Sequence, residues 1–196
     1  MPLSLHLADD PPPERADAAR NRHAVLAAAL RLVDHCGVDA VSMDAVAAEA
    51  GVGKGTLFRR FGSRQGLMAA VLNQSETQWQ AAVLSGPAPL GPGAPARDRL
   101  IEFGHTRLRL NLTHGALIRA ADRAGSRSYA AASFSAMHVR YLLGELGVRG
   151  DIALLATSLL APLEVPILEQ QVHQEHISLD RIEAAWDDLV GRVIDH

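Results

Sequence analysis

Apolar side chains in the first third of the chain recur at three- and four-residue steps. Val25, Ala28, Ala29, Leu32, Val33 and Cys36 fall on one face of a helix that begins near Ala16. Gly37 ends that helix, where a left-handed residue is wanted. Ser42 is a good N-cap for a short second helix, whose stripe is Met43, Val46, Ala47 and Ala50. Gly51-Val52-Gly53 interrupts it after barely two turns. A third short pattern, Lys54 to Phe61, directs Leu57 and Phe61 inward, and Gly62-Ser63 breaks and recaps the chain. A longer helix starts at Arg64 and carries Leu67, Met68, Val71, Leu72, Trp79 and Val83.

The Gly- and Pro-rich run between Ser85 and Ala96 reads as a loop. Beyond it the pattern predicts helices at about 96–113, 115–124, 128–146, 151–173 and 178–195, separated by Thr113-His114-Gly115, Gly125-Ser126, Gly147 to Gly150 and His176 to Ser178. Pro162 and Pro166 predict a kink or break in the fourth of these. No strand alternation persists and no repeat is found, so the fold class expected is all-α.

Composition narrows the picture. Aromatic residues are only 4% of the chain, which favours closely packed helices, and charged residues at 21% are well mixed. The one cysteine, Cys36, excludes an internal disulfide framework, fits a reducing cytoplasm, and reads as a small buried hydrophobe. His173 and His176 are spaced to share a helical face, but no carboxylate–histidine cluster with metal-site spacing accompanies them, so neither a metal nor another cofactor is expected. The first 13 residues lack the basic start and apolar stretch of a signal peptide. Ile152 to Leu168 is interrupted by Pro162, Glu164 and Pro166, short of the about 20 apolar residues of a membrane helix. A soluble, cytoplasmic protein is the expectation. Ala- and Arg-rich usage with a single lysine suggests a GC-rich bacterial genome.

The net charge of −3 argues at first against a nucleic-acid partner, but its distribution matters more. Residues 15–64 hold eight basic and five acidic side chains, whereas residues 65–196 hold eleven basic and fourteen acidic. Positive charge thus concentrates in one short segment, as a phosphate footprint requires.

That segment also carries two short helices joined by a tight glycine turn, the helix-turn-helix pattern. The second helix of such a motif must present small or basic residues at its start, which enters the major groove. Lys54-Gly55-Thr56 meets this demand, and Lys54 is the only lysine in the chain. Arg59, Arg60 and Arg64 follow within reach of phosphates. A helix-turn-helix used only for packing is the bland alternative, and it gives no reason to expose four basic side chains.

Gly37 to Leu72 (GVDAVSMDAVAAEAGVGKGTLFRRFGSRQGLMAAVL), with the preceding helix from about Arg20, resembles the DNA-binding domain of the TetR/AcrR family of transcriptional regulators. The remaining chain resembles that family only in layout. The resemblance implies that Lys54, Gly55 and Thr56 approach base edges or flanking phosphates. It also implies that Ser42, Met43 and Asp44 start the bracing helix beside the DNA backbone, and that Arg60 and Arg64 sit at backbone-contacting positions. Phe58 stands where the family usually has Tyr, so one hydroxyl-to-phosphate bond is missing. Gly53 stands where Ser or Thr commonly caps.

The run Pro11-Pro12-Pro13 reads as part of a disordered tail over 1–15, and the same resemblance implies a DNA-binding domain over 16–64 and an effector-binding and dimerisation domain over 65–196. Its last two helices are expected to pair with those of a second copy through Leu155, Leu159, Leu163, Ile182, Trp186, Leu189 and Val193, with monomer core as the alternative use of both stripes. By helical spacing, Trp79, Phe103, Arg107, His114, Phe134, Met137 and His138 are candidates to line an effector cavity, Arg107 suiting an acidic group; each is otherwise core or surface. The expected protein is a homodimeric repressor of palindromic double-stranded DNA, released by a small-molecule effector. An enzyme is the rival reading, but no phosphate loop, nucleophile elbow or zinc motif is present. Gly51 to Thr56 has the lysine of a P-loop but neither its spacing nor a preceding strand. A helical dimer that no longer binds DNA is the third reading.

Overall fold

The computed structural model describes residues 13–120 and 129–195. Nine α-helices are found among them and no strand: α1 (Pro13–Cys36), α2 (Met43–Glu49), α3 (Lys54–Phe61), α4 (Arg64–Ser85), α5 (Ala96–Ala120), α6 (Tyr129–Glu145), α7 (Ile152–Leu160), α8 (Val165–Glu169) and α9 (Leu179–Ile194). Helix α1 is already formed at Pro13, the first described residue and three before Ala16. The rest of the expected tail, and the expected helical residues 121–124 and 128, lie outside the described residues. The chain divides into two compact units, Met1–Leu67 and Met68–His196.

In the first unit α1 packs on α2 and α2 on α3. Leu26, Ala28, Ala29 and Val33 of α1, Val46 and Ala47 of α2, and Leu57 of α3 are buried. An ion pair from Arg31 to Glu49 at 3.0 Å spans α1 and α2. Cys36 departs from expectation: it is exposed, its thiol donating to the Leu32 carbonyl. Helix α1 ends there at Gly37, φ +78°, and the turn it allows brings Val38 into the core in its place.

The second unit is organised on α5, which packs against α6, α8 and α9. Two glycines make the close approaches possible. At Gly104 a β-carbon would collide with the indole of Trp186, whose Nε1 donates to the Ile101 carbonyl at 3.1 Å. At Gly115 a β-carbon would lie 3.0 Å from Val165 Cγ1 and 2.5 Å from Glu169 Oε1. Thr113-His114-Gly115 is therefore no helix break: α5 runs through it, and Gly115 is small because α8 lies against it.

The prolines do divide the next stretch. Asp151 caps α7 by accepting from the N–H groups of Ala153 and Leu154 at 3.1 Å. A 3₁₀ turn at Ala161–Leu163 holds Pro162, α8 opens with Pro166 in its first turn, and a π-type turn follows at Gln170–Gln174. By length and apolar composition alone, Ile152–Gln174 meets the requirement for crossing a membrane. In the fold its Ala156, Leu159, Leu160, Leu163 and Leu168 join the core.

Candidate nucleic-acid interface

Local rules build the α2–α3 corner. Ser42 is extended, and its Oγ accepts from the Ala45 N–H at 3.1 Å, satisfying one of the first-turn donors of α2. At the other end Gly51 takes φ +65°. The Val52 N–H then reaches the Ala47 carbonyl at 3.0 Å and the Gly51 N–H reaches that of Ala48 at 3.2 Å, the paired bonds of a Schellman stop. Gly53 opens α3 without a side-chain cap, so the first N–H groups of that helix point outward unclaimed by any side chain.

Helix α3 buries only Leu57. Lys54, Gly55, Thr56, Phe58, Arg59 and Arg60 are all exposed, and the helix carries no acidic residue. An amphipathic core helix of eight residues would bury about three. Here most of the surface faces outward and is positive. Phe61 is half-buried beneath the Arg22 guanidinium, 5.5 Å from the ring centre.

Two residues are engaged in ways their sequence positions do not reveal. Arg64 turns inward: its Nη2 donates to the Val38 carbonyl at 2.6 Å and its Nε to that of Val41 at 2.8 Å, which fixes the segment leading into α2. Asp44 reaches across to the start of α3, its two carboxylate oxygens 2.7 and 2.9 Å from Lys54 Nζ. Met43 is buried, so of the three expected α2 residues it braces the motif from inside.

The second unit holds a separate group of polar residues. Arg107, Asn111 and His114 stand one above another on α5, each at most 1% exposed. Arg107 Nη1 donates to both oxygens of Glu76, at 2.8 and 3.0 Å, and its guanidinium lies 4.6 Å from the Trp79 ring centre. His114 Nε2 lies 2.7 Å from Ser75 Oγ, with its Nδ1 3.7 Å from Glu76. Asn111 donates to the Leu163 carbonyl, and its buried Oδ1 has no partner among the described residues.

Rings close the group. His138 stacks on Phe103 and on Phe134, with centroids 5.4 and 6.1 Å apart, and Trp79 lies 4.9 Å from Phe103. Burial, then the nearby Arg99 charge, lowers the His138 pKa from 6.5 to about 4. The structure thus brings together Trp79, Phe103, Arg107, His114, Phe134 and His138, while Met137 is exposed on the outer side of α6. Arg107 already has a carboxylate partner of its own. Ser75, Glu76, Asn111 and Ser135, all on the same inner faces, were not singled out by sequence. Glu76, three residues before Trp79, was the available signal for α4, as was Asn111, four after Arg107, for α5.

Of the residues expected at a dimer contact, Leu159, Leu163, Ile182 and Trp186 belong to the core of the unit itself. Leu155, Leu189 and Val193 are half-buried. A groove of about 440 Å³ runs along this side, floored by Pro162, Leu163, Ile177, Ile182 and Leu189 and edged by Arg181, Asp188 and Arg192.

Comparison with known proteins bears on both units. Residues 25–71 match the profile of bacterial regulatory proteins of the tetR family. No curated protein matches the chain. Among solved structures, the chain is similar to a tetR-family transcriptional regulator from Mesorhizobium loti, with 20% identity and a TM-score of 0.60 over 91% of this chain and 96% of that one. A transcriptional regulator from Saccharomonospora viridis, solved in complex with choline, gives 21%, a TM-score of 0.58, and coverage of 88% and 96%. A structure on the control of antibiotic production by bacterial hormones gives 20%, 0.61, and coverage of 89% and 97%. These likenesses show a shared fold across almost the whole chain. The profile match spans α2, the glycine turn and α3, so it is the helix-turn-helix segment of this chain that is similar to the tetR family of bacterial regulatory proteins.

Proposed function

We propose that this chain is a sequence-specific DNA-binding regulator of transcription, acting as a homodimeric repressor that a small molecule releases from a palindromic operator. The observation that carries the DNA reading is α3, an eight-residue helix that buries Leu57 alone, presents Lys54, Arg59 and Arg60, and has no side-chain cap on its N-terminus. Exposure of so much of a short helix is costly for a packing element and useful for one that enters a major groove. Lys54, Gly55 and Thr56 at its start read base edges, with Arg59 and Arg60 on phosphates. Ser42 and Met43 set the bracing helix, Phe58 contributes ring contact, and Arg64 acts through the carbonyls it holds.

Dimerisation follows from the geometry of operators, since one such helix reads too few base pairs for useful specificity. The groove along α9 and the half-buried Leu155, Leu189 and Val193 beside it are the surface proposed for the second copy. The effector is proposed to bind among the buried polar groups of α4, α5 and α6, where Asn111 Oδ1, Ser135 Oγ and His138 Nε2 have no partner among the described residues. Release is a population shift, in which the effector favours a spacing of the two α3 helices other than the about 34–36 Å of one DNA turn. The change is transmitted through α4.

Titration against random duplex DNA and against duplexes enriched from a random library tests the reading. Enriched DNA should bind about a thousandfold more tightly, with two subunits per site. The double charge reversal Lys54→Glu with Arg60→Glu should abolish binding while leaving the helical melt unchanged. Failure of the library to enrich any sequence, with weak binding at low salt, would refute the proposal.

A further inference from the structure

Among the described residues, the Asp44–Lys54 pair is the ionic contact that joins the two helices of the motif. Its geometry follows from the turn: Ser42 caps α2, the Schellman stop at Gly51 reverses the chain, and the first turns of α2 and α3 come side by side. The ammonium is held between both oxygens of the carboxylate, at 2.7 and 2.9 Å, and stands 6.0 Å from the Phe58 ring centre. Both side chains are well over half exposed, at 60% and 64%. An ion pair that wet contributes little to folding. What it does change is the charge presented by the start of α3, where the chain's single lysine is neutralised by its own neighbour.

We propose that Asp44 is a specificity-determining residue that holds Lys54 in reserve, yielding it only to DNA that offers the ammonium a well-placed acceptor. The inference rests on the DNA-binding reading above. In a complex with random DNA the protein lies in no fixed register, and a phosphate near Lys54 must compete with two oxygens already in place. In register with an operator, the major-groove edge of a guanine presents two acceptors to a lysine, a contact worth roughly tenfold or more in discrimination. That contact outweighs a solvent-exposed ion pair; a loosely placed phosphate does not. Asp44 thereby suppresses Lys54's share of sequence-independent binding, which is electrostatic and rises with every phosphate neutralised. The carboxylate of Asp44 itself touches no phosphate.

Asp44→Asn tests this, with binding measured to random duplex DNA and to a duplex that the wild-type protein has enriched from a random library. Random-DNA affinity should rise about fivefold, since the freed ammonium gains a phosphate, and the salt slope should steepen by about 0.9. Affinity for the enriched duplex should rise by much less, so that the ratio of the two falls. In a Lys54→Gln background, Asp44→Asn should have no such effect on slope. Unchanged random-DNA binding, weaker binding to both DNAs, or an equal gain with Lys54 absent would each overturn the proposal. Because Lys54 is the only lysine, a ¹⁵N-lysine-labelled sample reports the pair without DNA: its side-chain resonance should move on Asp44→Asn. Loss of all DNA binding by the wild-type chain would instead count against the regulator reading, while an unmoved lysine resonance counts against this inference alone.

Discussion

Gly104 lies in the interior of α5, where glycine is the second-worst residue for a helix, so replacing it by alanine should help by about 1 kcal/mol if nothing else changed. Something else does change. A β-carbon at this position falls on Trp186 Cε2 and Nε1. Trp186 is 3% exposed and tied to α5 by its bond to the Ile101 carbonyl. The indole must shift from 1.9 Å toward the 3.4 Å of ordinary contact, enough to break that hydrogen bond at a loss of about 1 kcal/mol, and the overpacked contact adds about 1–3 kcal/mol. Gly104→Ala should therefore destabilise by about 2 kcal/mol net, lowering Tm by about 4–8 °C for a chain of this size. Gly144→Ala is the internal control. That glycine is exposed on α6 with nothing near its missing β-carbon, and its replacement should stabilise by up to about 1 kcal/mol. Urea denaturation followed by circular dichroism measures both. Trp186→Ala removes the atoms that collide, so in a double-mutant cycle the two changes should be strongly non-additive. A neutral or stabilising Gly104→Ala, or additivity with Trp186→Ala, would mean that the indole does not seat on the α5 backbone.

Two further outcomes follow from the buried polar group of the second unit. Glu76→Gln breaks the buried ion pair with Arg107 and should cost about 3–5 kcal/mol in urea denaturation; a loss under about 1 kcal/mol would show that this pair contributes little to the fold. His138, with its folded pKa lowered to about 4, is preferred neutral in the fold, so its stability contribution is full above about pH 6.5 and is lost as pH falls from there toward 4. The loss is at most about 3 kcal/mol, and His138→Phe, which keeps the ring stacking, should flatten that part of the stability–pH curve. An unchanged slope would assign the acid sensitivity to another group.

The parts of this structure legible in the sequence are those specified by short-range chemistry. Ser42, Gly51 and Gly62 act within four residues of themselves, and α2 and α3 begin and end where capping rules put them. The same local grammar misread Gly115, because a glycine that stops a helix and one that admits a neighbouring helix look alike until the neighbour is known. Arg64 shows the limit for charge. Its charge suggests a phosphate contact, and nothing local shows that the carbonyls it serves lie 23 and 26 residues back in the chain.

The stripe on α9 carries the argument furthest. Periodicity identifies its apolar face but not what covers it, and the fold divides that face in two. Ile182, Trp186 and Val190 are covered by the unit's own core, through α5, before any second copy arrives. What is left for a partner is the flank: Leu189 and Val193, half-buried, with the groove beside them. A helix pair whose main stripe is already spent can still associate, provided the contact is made by this flank and its charged edge of Arg181, Asp188 and Arg192. Its free energy then comes from a narrower apolar strip than the sequence suggests, with more of the contact at the polar rim, where charge complementarity selects the partner.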